Sequence, residues 1–180
     1  MMVREFKTQK LKYQSGFTLI EMLVVVIILG ILAMIIVPQI TVSTEDARLN
    51  SLQTNLNTVR SAIEVYAAQH GNNYPGAKKT DGSGTDTVLA DLPTALLDQL
   101  TLYTDAQGQT STTLDRTNFP FGPYLKTGMP TNPYNDSAVV TCDVATTDIT
   151  TKDSTGAGTG WKFYVKTGVF MAADGAHDSL

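Results

Sequence analysis

Cysteine and histidine are almost missing from this chain: its 180 residues hold one Cys and two His. With Cys142 alone no intrachain disulfide can form, and no Cys-x-x-Cys pair exists for zinc or redox chemistry. His70 and His177 stand apart, so His-Glu-x-x-His is absent, as are Gly-x-Ser-x-Gly and a P-loop. Gly82-Ser83-Gly84 is a flexible loop by composition. Positive charge is scarce beyond the first sixteen residues. Those carry four of the 13 basic and one of the 17 acidic side chains, which leaves 9 against 16, a net of −7, for the rest. Phosphate neutralisation needs clustered Lys and Arg, and only Lys78-Lys79 begins a patch, so a nucleic-acid partner is excluded. No catalytic constellation is present, and the chain reads as a non-enzyme.

The informative part is the N-terminus. Arg4, Lys7, Lys10 and Lys12 stand against Glu5 in a stretch that forms no core. Met22 to Val37 then contains no charge, and with Phe17–Ile20 the apolar run is broken only by Glu21. Phe17 to Val37 is 21 residues, about 31 Å of helix, the thickness of a bilayer's hydrocarbon core. A carboxylate inside such a helix costs on the order of 3 kcal/mol on insertion scales. Glu21 therefore either stays wet at headgroup level, near the helix N-terminus, or has a partner for its charge. Pro38 lacks an N–H and clashes with the preceding turn, so the helix should kink or loosen around Met34–Pro38. A secretory signal peptide would need a small-residue cleavage site after the apolar run, and the residues following Val37 offer none.

Lys-rich leader, Gly16, Phe17-Thr18-Leu19-Ile20-Glu21 and a long apolar helix together resemble the type IV prepilin signal of pilins and pseudopilins. The resemblance implies cleavage after Gly16 by a prepilin peptidase, N-methylation of Phe17, and pairing of Glu21 with the terminal amine of a neighbouring subunit during assembly. Pro38 falls where many family members carry a proline. The expected domains are a cleaved leader at 1–16, a transmembrane and filament-core helix at 17–40, and a periplasmic globular domain at 41–180 containing an amphipathic helix at 45–70. The expected placement is a single-pass bacterial inner-membrane protein, N-terminus cytoplasmic, in keeping with the basic leader and acidic remainder. Many type IV pilins staple the C-terminal region with a cysteine pair, and its absence here points toward the pseudopilin branch. Cys142, in Val139–Val144, reads as a strand residue.

Beyond the anchor the pattern turns one-sided. Leu49, Leu52, Leu56, Val59, Ile63 and Tyr66 recur at spacings of 3 and 4, a stripe too short for a coiled coil and suited to packing on a sheet of its own domain. Gly71 and Pro75 end this helix. His70 reads as a solvated last-turn residue that complements the helix dipole. A short helix is expected over Asp91–Leu100, with Leu92, Leu96, Leu97 and Leu100 facing inward. The three prolines of Phe121–Asn135 predict an ordered loop anchored by Tyr124, Leu125 and Met129, and its Gly-x-Tyr-Leu and Asn-Pro pattern resembles the segment before the sheet of major pseudopilins. Trp161–Val165 and Val169–Ala172, joined by Lys166-Thr167-Gly168, read as a hairpin. The fold class is α+β and pilin-like: a long N-terminal helix, transmembrane in its first half and amphipathic in its second, packed on a small antiparallel β-sheet.

The tail Ala173-Asp174-Gly175 resembles the start of a C-terminal loop that binds Ca²⁺ in major pseudopilins. Asp174 and Asp178 alone are too few for the 6–8 oxygens Ca²⁺ prefers, unless Asp136 or carbonyls join them, and solvated tail acids are the plainer reading. No cofactor is required. The function implied is a pseudopilin of type II secretion. Its partners would be further copies of itself, minor pseudopilins, the prepilin peptidase and methyltransferase, an inner-membrane assembly platform and membrane lipid. A type IV pilus subunit is the alternative within the class. A membrane-tethered periplasmic binding module or enzyme is the alternative outside it.

Overall fold

The computed structural model describes residues 16–84, 91–150 and 159–180, with the side chains of residues 35–43 excepted. The leader residues 1–15 and the side chain of Pro38 thus lie outside the described residues. The chain divides into two compact units, Met1–Thr44 and Glu45–Leu180. Helix α1, Leu19–Gln69, supplies residues to both. Then come α2 (Leu92–Thr101), a short antiparallel pair β1 (Tyr103–Thr104) and β2 (Thr110–Ser111), and strands β3 (Val140–Asp143), β4 (Trp161–Tyr164) and β5 (Val169–Ala172).

In the first unit the apolar part of α1 is open on every face. Met22 to Leu32 keep roughly half of each large apolar side chain accessible, and Leu19 and Met34 more than four-fifths. Here two expectations are corrected. Among the described residues no helix is long and apolar enough to cross a membrane. The transmembrane first half of the helix, and with it the single-pass inner-membrane placement, is therefore withdrawn.

In the second unit the stripe does what its period requires. Leu52, Leu56, Val59, Ile63 and Tyr66 are buried, with Leu49 at the half-covered end. They share one core with Trp161, Phe163 and Phe170 of the sheet and Leu96 and Leu100 of α2. Trp161 and Phe170 stack at 5.4 Å between centroids. On the opposite face of the pleat Tyr164 and Met171 are buried as well, so the sheet is covered on both sides. Arg60, on the flank of the stripe, ties helix to sheet by donating from Nε to the Phe170 carbonyl at 2.9 Å.

The sheet itself differs from the antiparallel one expected. Its order is β3-β4-β5; β4 and β5 are antiparallel, but β3 runs parallel to β4 with Val140 opposite Trp161 and Cys142 opposite Phe163. Parallel neighbours need a connection of a dozen or more residues, and residues 144–160 separate the two strands. The hairpin turn is four residues, Val165–Gly168, rather than three. The Thr167 and Gly168 amides both donate to the Tyr164 carbonyl, and Gly168 takes a φ of +73° that suits only glycine well.

Gly71 closes α1 as its position predicts. At φ +63° it lets the Asn72 amide donate back to the Ala67 carbonyl at 2.8 Å, the longer bond of a Schellman cap. In α2, Leu97 is 37% exposed, against expectation, because it lies about 100° round the helix from Leu96. Ala95 and Gln99 take the inner face instead. Replacing Leu56 by Ala at the centre of the core should lower the unfolding free energy by about 2–5 kcal/mol, measured by denaturant titration; no change would mean that the stripe is not the structural core.

Candidate functional site

The residues of the N-terminal signal are brought together by a helix cap. Gly16, Phe17 and Thr18 precede α1 in non-helical backbone, and Phe17 is 79% exposed. The Thr18 amide and hydroxyl each donate to Glu21 Oε2 at 2.8 Å, and the Glu21 amide donates to Thr18 Oγ1 at 3.3 Å. This is a reciprocal capping box, with Thr18 at N-cap and Glu21 three residues on. These bonds hold the Glu21 carboxyl below the usual carboxylate range, led by the Thr18 amide. Oε2 is thus engaged by its own helix, while both oxygens stay at the solvent-exposed end. Sequence reasoning gave Glu21 a role and missed Thr18, although Thr-x-x-Glu before an apolar run is the signal for such a cap.

At the other end of α1, His70 is buried rather than solvated, with 3% of its surface exposed. Nδ1 lies 2.7 Å from the Tyr66 carbonyl and Nε2 3.1 Å from Thr104 Oγ1. A carbonyl can only accept, so Nδ1 carries the proton and Nε2 accepts from the Thr104 hydroxyl. The ring stacks on Tyr66 at 3.8 Å. Burial, the largest influence, pushes its pKa down, so it sits as a neutral packing element.

The tail acids are not arranged as a ligand set. Asp174 Oδ1 accepts from the Ala176 and His177 amides at 2.9 Å each and from His177 Nδ1 at 3.1 Å, while Oδ2 accepts from Asn132 Nδ2 at 3.0 Å. Among the described residues no three His, Cys, Asp or Glu side chains are grouped to hold a metal, so Asp178 and Asp136 do not join Asp174 in one. The groups that meet Asp174 are N–H donors, which fits a hydrogen-bonded turn. Cys142 lies half-buried in β3, and burial pushes its thiol up to about 12, an unreactive state at neutral pH.

The match to a known family falls on the same N-terminal region. The family model described as the prokaryotic N-terminal methylation motif matches residues 11–37. The chain is 42% identical over 55 residues to type II secretion system core protein G of Pseudomonas aeruginosa, covering 31% of this chain and 39% of that one. To the protein of the same name from Aeromonas hydrophila it is 38% identical over 82 residues, 46% of this chain and 53% of the other. To a ComG operon protein 3 homolog of Bacillus licheniformis it is 31% identical over 71 residues, 39% of this chain and 73% of the relative. The chain thus spans between two fifths and about half the length of the two secretion relatives. No solved structure matches it.

Two outcomes follow from the site geometry. Thr18→Val removes one donor and the return acceptor of the cap, so the Glu21 titration should move up toward the ordinary carboxylate value, read by carboxyl-carbon NMR; an unmoved titration would show that the box does not form. For His70 the folded pKa lies below the unfolded value of 6.5, so the unfolded chain binds the extra proton. Stability is then full above about pH 6.5, falls as pH drops below it, and levels off beneath the folded pKa. His70→Gln should remove that slope from the pH dependence of unfolding.

Proposed function

We propose, from the premise that this chain belongs to the pseudopilin family with its N-terminal methylation motif, that it is a filament subunit of a type II secretion apparatus, cut after Gly16 and methylated on Phe17. The observation that carries the proposal is the stretch Leu19–Met34 of α1, apolar on every side and open on every side. A helix that is hydrophobic all round is a buried helix in its finished setting. Side-by-side packing with the same helix from other copies would bury it, at roughly 25 cal/mol per Å² of apolar surface removed from water.

Processing and assembly share residues in this reading. Gly16 presents no side chain at the cut, and its surroundings are open, so a peptidase can reach the bond. Cleavage leaves an amine on Phe17, three residues before the Ile20–Glu21 peptide. Glu21 uses Oε2 for its own cap, and Oε1 is the atom to receive the amine of a neighbouring copy. Such a charge pair between copies would fix axial register where apolar packing alone permits sliding. Pro38 is assigned to the same packed segment. Minor pseudopilins, a prepilin peptidase with methyltransferase activity and an assembly platform are the partners this role requires.

Gly16→Val places a branched side chain at the cut and should leave the full-length precursor, whereas the native chain matures to a species beginning at methylated Phe17. Intact mass measurement in cells with an active prepilin peptidase reads both, and sedimentation of sheared filaments should find the native chain and not the variant. A mature species that begins elsewhere, or filaments built from uncut subunits, would overturn the assignment.

A further inference from the structure

We infer that the C-terminal segment Ala173–Leu180 is a metal-independent clasp, closed by Asp174 acting as a hydrogen-bond acceptor for protein N–H groups in the place where a family calcium site would lie. Asp174 meets four donors: the Ala176 and His177 amides and His177 Nδ1 at Oδ1, and Asn132 Nδ2 at Oδ2. A cation entering this position would face the positive ends of N–H dipoles and would have to displace them.

The donor from Asn132 is what makes this a clasp rather than a local turn. Asn132 is fully buried, and its amide is saturated: Nδ2 also donates to the Gly160 carbonyl at 3.0 Å, and Oδ1 accepts from the Tyr134 amide at 2.9 Å. Asp174 is thereby joined to the loop over residues 130–137 and to the entry of β4. Tyr134 stacks on His177 at 3.9 Å and so covers the clasp's outer side. At the far end, Leu180 donates its amide to the His177 carbonyl, and its own carbonyl accepts from Arg60 Nη2 at 2.5 Å, which seats the tail on α1. Every polar group of the tail named above has a protein partner. The inference does not depend on polymerisation of the chain.

The test is thermal unfolding and calcium titration of the full chain. Native protein should melt at the same temperature in excess CaCl₂ and in excess chelator, and calorimetric titration with Ca²⁺ alone should show no saturable binding. Asp174→Asn keeps the shape but turns a donor toward the Asn132 donor, and should lower the melting temperature by several degrees equally in both buffers. A calcium-dependent rise in melting temperature, saturable Ca²⁺ binding by the native chain, or an Asp174→Asn variant as stable as the native one would overturn the clasp. Should the variant fail to fold, the titration of native protein still decides the matter.

Discussion

The globular unit depends on a single coverage requirement: the stripe Leu52, Leu56, Val59, Ile63 and Tyr66 must be removed from water by a surface of matching width. Three strands supply it, and the bulk comes from aromatics. Trp161, Phe163 and Phe170 fill the space above the helix, and Trp161 Nε1 finds the Pro130 carbonyl at 2.8 Å, so the largest ring is buried without an orphan donor. Tyr66, the last member of the stripe, extends the same packing into the loops. It meets His70 face to face and Tyr124 edge-on. Once helix and sheet are joined in this way, the loop regions have fixed points from which to hang.

Those loops are held by side-chain amides more than by regular structure. Gln99, on the inner face of α2, accepts from the Gly76 amide and donates to the Lys78 and Gly108 carbonyls, so one buried group gathers two loop segments. Asn132 does the same for the β3 side of the molecule. The α2 C-terminus contributes as well, because the Leu100 carbonyl accepts both the Tyr124 and Leu125 amides. Among the described residues no buried side-chain polar atom lacks a partner. An unmade bond at any of these sites would cost more than a made one contributes, which is why a loop-rich unit can still hold one conformation.

What the sequence made legible follows from range. Features encoded within a turn or two of chain were readable: the 3-and-4 stripe, the Gly71 stop and the hairpin over Trp161–Ala172. Features that depend on distant partners were not. The parallel β3 is chosen by its pairing with β4 across the connection from 144 to 160, and nothing in Val140–Asp143 states a direction. His70 reads as a solvated cap until Thr104, 34 residues on, arrives at its Nε2. Gln99 looks like an ordinary polar helix residue until three loop groups converge on it. The Thr18–Glu21 box is the exception, a local signal hidden because the unusual carboxylate drew the reading toward an intermolecular partner. The membrane span read from hydropathy is met by no helix among the described residues.

The two units therefore divide the physics between them. In Glu45–Leu180 the stripe is covered, and among the described residues no buried side-chain polar atom lacks a partner. The excess of acidic over basic side chains adds like-charge repulsion between copies, screened at distances beyond about 8 Å at physiological salt. In the assembly proposed above, the attraction that opposes it comes from surface left open in the single chain. Leu19–Met34 is where that surface lies, and its apolar side chains, uniform around the helix, give area without direction. Direction has to be imposed by something polar, and Glu21 is the sole charged side chain between Phe17 and Val37. The chain thus covers its own apolar surface in the globular unit and leaves that of Leu19–Met34 open.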